Sequence, residues 1–110
     1  MAAAAVQLSR AAARVTRPQP PRGIPRLLFP RGTASRFTIG RALECDFVLA
    51  DPSVSRFHAR LHREPDGWLL RDLGSTNGTM LNGWRVTEPV SVRPGDRVSF
   101  GLISFLVGDA

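Results

Sequence analysis

Lysine and tyrosine are both absent from the 110 residues, and cysteine occurs once, as Cys45. A single thiol allows no intramolecular disulfide, and a cysteine-ligated zinc site has no support. The expectation is a cytoplasmic protein with no metal and no cofactor. No apolar run approaches the roughly 20 residues that a membrane-crossing helix needs, so no membrane role is expected. Neither a Gly-x-Gly-x-x-Gly nor a Walker pattern is present, which removes the common glycine-rich nucleotide loops.

Acid is missing from one stretch only. Residues 1 to 22 hold Arg10, Arg14, Arg17 and Arg22 and no carboxylate, whereas the remaining 88 carry 11 arginines against 9 acids, a balance of +2 out of the total +6. The basic character is therefore concentrated in the first 23 residues. Rich in Ala, Arg and Pro, they cannot bury enough apolar surface to offset their ordering entropy and read as a disordered tail. An arginine- and alanine-rich, acid-free start also resembles an organellar transit peptide.

From Ile24 to Ala110 the texture changes to short β-branched and aromatic runs bounded by Gly, Pro, Asn or Asp. That pattern is all-β, and a chain of this length holds one domain. Ten strands are expected: 26–29, 36–39, 47–49, 57–63, 68–72, 79–81, 84–86, 90–92, 97–100 and 103–107. Turn signals at Pro30-Arg31-Gly32, Pro65-Asp66-Gly67, Asn82-Gly83 and Pro94-Gly95-Asp96 separate them. Such spacing predicts a two-sheet β-sandwich. The alternation from Phe57 to Arg63 places Phe57, Ala59 and Leu61 on the core face and His58, Arg60 and His62 on the polar face.

In a sandwich the connecting loops carry the site, and three loops are candidates. Gly40-Arg41 follows the apolar run 37–39, and the guanidinium fork matches a phosphate by bidentate hydrogen bonding. Ser55 offers a hydroxyl after a proline turn, with Arg56 as a possible second charge and His58 as a holder of neighbouring loops. Residues 74–83, Gly-Ser-Thr-Asn-Gly-Thr-Met-Leu-Asn-Gly, concentrate hydroxyls, amides and backbone N–H groups between two apolar runs. Each piece alone also fits an ordinary surface turn.

A hydrolase triad of Ser55, His58 and Asp72 can be drawn on paper. It lacks a Gly-x-Ser-x-Gly elbow, and the serine meets the histidine only if it lies outside the strand. No catalytic residue is therefore assigned. Asp72 and Trp68 read as frame or core.

The ordered set Gly40-Arg41, Ser55-x-x-His58, Ser75-Thr76-Asn77-Gly78-Thr79 and Asn82-Gly83 resembles the forkhead-associated (FHA) domain family of phosphothreonine-binding β-sandwiches. The likeness runs from about Ile24 to Val107. It implies that Arg41 and Ser55 contact the phosphate, that Thr76 adds a contact, and that Asn77 bonds the ligand's main chain; Arg56 is added to this binding set from the residue reading alone. By the same resemblance His58 supports the loops, and Gly40, Gly78 and Gly83, with Asn82, shape the backbone. The implied partner is a phosphothreonine-containing protein, a Ser/Thr kinase or its substrate. Charge-assisted bonds less ordering costs give micromolar affinity, roughly −7 to −8 kcal/mol.

A different class of function remains open at this point: a nucleic-acid-associated protein working through the arginine-rich tail. Thr16, the one threonine of that tail, offers a subsidiary idea, since its phosphorylated form could fold back onto the protein's own site.

Overall fold

The computed structural model describes residues 24 to 108, and the expectations for the tail, including Thr16, lie outside them. Ten strands build the described residues: β1 (Arg26–Leu28), β2 (Arg36–Gly40), β3 (Phe47–Val48), β4 (Ala59–Glu64), β5 (Gly67–Asp72), β6 (Thr79–Leu81), β7 (Trp84–Arg85), β8 (Val90–Val92), β9 (Arg97–Phe100) and β10 (Ile103–Gly108). They pair into two five-stranded sheets, β1-β10-β9-β6-β7 and β3-β2-β4-β5-β8. Most neighbours are antiparallel, while β1 runs parallel to β10 and β3 parallel to β2. All ten expected runs became strands, and the sandwich is as expected.

Side chains explain the face that each sheet buries. Ile39, Leu61, Leu70 and Val92 from one sheet meet Leu27, Val98, Phe100 and Val107 from the other, and each is at most 5% exposed. Burying a leucine, isoleucine or phenylalanine stabilises by about 1.5–3 kcal/mol. Trp68 closes one margin of this layer, stacked on Phe29 with ring centroids 5.0 Å apart. Asn82 (φ 51°) and Gly83 (φ 86°) form the two-residue turn between Leu81 and Trp84, where both central residues must be left-handed. Asn and Gly tolerate that conformation best.

One expectation fails. Strand β4 begins at Ala59, so Phe57 and His58 precede it, and their faces are reversed: Phe57 is 46% exposed and His58 is 0% exposed. The reason is that residues 55–58 form a turn, in which a period of two has no meaning. Burial of the imidazole is tolerated because backbone groups satisfy both of its nitrogens. Its ring also meets Phe100 edge-on at 5.7 Å.

Antiparallel pairing brings several loops to one end. The C-terminal ends of β2 and β5 lie beside the start of β4, and the start of β6 (Thr79) pairs with the end of β9 (Phe100). Residues 41–46, 51–58 and 73–78 therefore share a rim.

Candidate functional site

Segment 53–56 is the centre of that rim, because loops on both sides bond to it. The Arg41 and Ala42 amides donate to the carbonyls of Ser55 and Arg56, at 2.9 and 3.0 Å. This lacing requires close approach at Gly40: a Cβ there would stand 2.1 Å from the Arg56 carbonyl oxygen. Only glycine leaves room. Laced this way, the Arg41 side chain turns over the segment, and its Nε donates to the Val54 carbonyl at 2.9 Å. That bond orients the fork while the two terminal nitrogens find no partner among the described residues.

On the other side, the Thr76 amide donates to Ser55 Oγ at 3.0 Å, and Asn77 Nδ2 donates to the Ser53 carbonyl at 2.8 Å. Ser55 Oγ thus accepts a bond and keeps its own proton for another acceptor. Arg56 sits further out. Its guanidinium is 3.9 Å from Glu44 Oε1 and 5.9 Å from the centroid of the Phe57 ring, with both charged partners largely exposed. Arg41, Ser55, Thr76 and Asn77 are brought together; Arg56 stands at the edge.

His58 ties the two loops. Ser55 N–H donates to its Nδ1 at 3.0 Å, so the ring proton lies on Nε2, which donates to the Gly78 carbonyl at 2.9 Å. That carbonyl also accepts the Gly101 amide at 3.1 Å. Gly78 itself has φ +90°, a conformation that a side chain would strain. At the far end of β6, Asn82 donates from Nδ2 to Asp96 and accepts the Arg97 amide at 2.9 Å. Asn82 and Gly83 therefore fix the hairpin rather than the rim.

Asp72 organises the Thr76–Asn77 loop to a degree that sequence reasoning passed over. Oδ1 accepts the hydroxyls of Ser75 and Thr79, each at 2.6 Å, and Oδ2 accepts the amides of Gly74 and Ser75 at 2.9 and 3.0 Å. Burial alone would raise this carboxyl's pKa. The bonds from Ser75, Thr79 and Gly74 outweigh it and hold the group below its usual range. Asp51 plays a smaller version of the part: the Ser53 hydroxyl and amide donate to it and lower its pKa. Asp followed two or three residues later by Ser, as at Asp51/Ser53 and Asp72/Ser75, was the available signal.

These bonds also dismantle the paper triad. Ser55 meets His58 through its amide rather than its hydroxyl, both imidazole nitrogens are occupied by backbone, and Asp72 bonds hydroxyls of its own loop. Cys45 is no nucleophile candidate either, since burial raises its thiol and Sγ donates to the Arg56 carbonyl.

Two concavities lie away from the rim. One of about 320 Å³ opens between edge strands β1 and β3 and is lined mainly by Leu28, Ile39, Phe47, Val48 and Phe105. Another of about 570 Å³ flanks β7, beside Trp84, Arg85 and Pro89. Arg26 is the one charged residue in the lining of the first, and the converging hydroxyl and amide donors lie on the rim.

Comparison with known proteins agrees with the geometry. A family model described as FHA domain matches residues 37–101. The FHA domain-containing protein FhaB of Mycobacterium tuberculosis is 46% identical over 63 residues, which are 57% of this chain and 41% of that protein. The chain therefore spans well under two thirds of that relative. Among solved structures, M. tuberculosis EmbR in complex with a low-affinity phosphopeptide superposes with a TM-score of 0.64 at 30% identity, over 66% of this chain and 19% of that one. The N-terminal FHA domain of Saccharomyces cerevisiae Rad53, in complex with a phosphothreonine peptide, gives 0.56 at 30% identity, over 64% and 67%.

Proposed function

We propose that this chain, which belongs to the FHA domain family, binds phosphothreonine in a partner polypeptide and performs no catalysis. The observation that carries the reading is the Arg41 fork, anchored through Nε to Val54 with its terminal nitrogens unspent, beside a Ser55 hydroxyl whose proton is also unspent. Donors already held in place cost little ordering entropy on binding.

A phosphothreonine carries nearly two negative charges and three strong acceptor oxygens. Arg41 takes two of them bidentately, Ser55 donates to the third, and the exposed Thr76 hydroxyl adds a contact. Arg56 supplies a second, more screened charge from the rim. Asn77, with Nδ2 committed to Ser53, offers Oδ1 to a main-chain N–H of the ligand. Gly40, His58, Gly78, Asn82 and Gly83 hold the frame on which these donors sit. The ligand belongs to a Ser/Thr protein kinase or one of its substrates, and no metal or cofactor takes part.

Absence of catalysis rests on saturation. His58 has no nitrogen left to act as a general base, and Asp72 is consumed by its own loop. Titration calorimetry with one peptide in phosphorylated and unphosphorylated forms tests the reading. Micromolar binding of the phosphorylated form alone is expected, and equal affinities overturn it.

A further inference from the structure

Beyond the four rim residues lies a third guanidinium that the sequence motifs do not include. Arg85 stands opposite Met80 in the β6–β7 pair, and two residues before Met80, just ahead of β6, comes Gly78, the residue after Asn77. Because Gly78 has no side chain, the Arg85 guanidinium packs onto its backbone. A Cβ built at position 78 would meet Cζ at 3.1 Å, Nη1 at 3.3 Å and Nη2 at 3.4 Å. The positive group therefore rests against the rim loop itself.

No hydrogen bond or ion pair holds the Arg85 guanidinium among the described residues, although Glu88 lines the same concavity of about 570 Å³. Arg41 differs in being tethered to Val54, and Arg56 in facing Glu44. Next to Arg85 stands Trp84, 80% exposed on a two-residue edge strand. An arginine and a tryptophan beside a concavity form the kind of patch that anchors a ligand side chain.

We propose that Arg85 is a specificity-determining residue, which pairs with an acidic side chain near the phosphothreonine in the same ligand. The inference rests on the phosphothreonine reading of the rim and extends it along the peptide. The loop 76–78 joins the two groups: Thr76 bonds Ser55, whose neighbour Val54 anchors Arg41, and Gly78 bonds His58 while its Cβ position meets the Arg85 guanidinium. A peptide whose phosphate sits at Arg41 and whose main chain meets Asn77 continues over Gly78. There its next carboxylate finds an unpaired cation.

The test uses the full chain and a panel of phosphothreonine peptides, alanine-flanked except for one aspartate moved through each neighbouring position. One position is expected to bind the wild-type protein about threefold to fivefold more tightly than the all-alanine peptide, as for an exposed ion pair. Arg85→Gln removes that gain, leaves the all-alanine peptide unchanged and leaves the melting temperature in place. Persistence of the gain in Arg85→Gln, or absence of a gain at every position, overturns the assignment. So does an equal loss for all phosphopeptides, which would place Arg85 on the phosphate instead. Failure of every phosphopeptide to bind wild-type protein marks the different case, in which the rim reading falls and takes this one with it.

Discussion

At one end of the second sheet Arg63 donates from Nε to the Ala34 carbonyl and from Nη2 to the Pro30 carbonyl, with its guanidinium carbon 4.5 Å from the Trp68 ring centroid. At the opposite end Arg41 donates from Nε to Val54 and keeps its fork open. Arg63 is the penultimate residue of β4 and Arg41 directly follows β2, and both hold a loop by Nε. The difference is that Arg63 lies over an aromatic ring between carbonyls of the β1–β2 connection, while Arg41 leans over a segment whose amides and hydroxyls already serve other loops. A spent guanidinium fastens the fold, and an unspent one keeps its donors free.

Replacing Arg41 with alanine tests the contrast most severely. Phosphopeptide affinity should fall by about 2–5 kcal/mol, because the principal charge partner of a dianion is removed. Thermal unfolding should hardly move, and a large loss of stability without loss of binding would reverse the assignment of the two ends.

Arg63→Ala should do the converse. Loss of the cation over Trp68 and of two carbonyl contacts is worth about 1–3 kcal/mol of stability. For a domain of this size that lowers the melting temperature by about 4–8 °C per kcal/mol. Affinity per folded molecule, measured by calorimetry, should match wild type.

A smaller effect comes from acid. Asp72 has a lowered pKa in the folded protein, so it stabilises the rim above its unfolded value, near 3.8, and this contribution disappears as pH falls through the folded value. Urea midpoints should therefore decline below about pH 4, more steeply in wild type than in Asp72→Asn. Identical slopes would remove Asp72 from its place as the hub of the 74–79 loop.

Strand positions were readable because β-branched and aromatic runs bounded by Gly, Pro, Asn and Asp specify extended segments and their ends locally. The Asn82-Gly83 turn was readable for the same reason, since left-handed backbone geometry admits few residue types, whereas the role of Gly40 came from the family resemblance. His58 was placed on the wrong face because the alternating period was carried two residues past the start of β4. Asp72 was read as frame, yet its four bonds to residues 74–79 could not be counted from composition. Arg85 carried no motif at all, and its relation to Gly78 comes from the β6–β7 pairing.

Local chemistry along the chain was enough to dictate ten strands, their turns and which loops are rich in donors, because each depends on neighbours within a few residues. Which of those donors stay unoccupied was settled only when distant segments met. The Nε of Arg41 reaches Val54 across 13 positions, Thr76 reaches Ser55 across 21, and the Leu102 amide reaches Ser53 Oγ across 49. Hydrogen-bond capacity is finite, so a group's availability is what remains after the fold has taken its share.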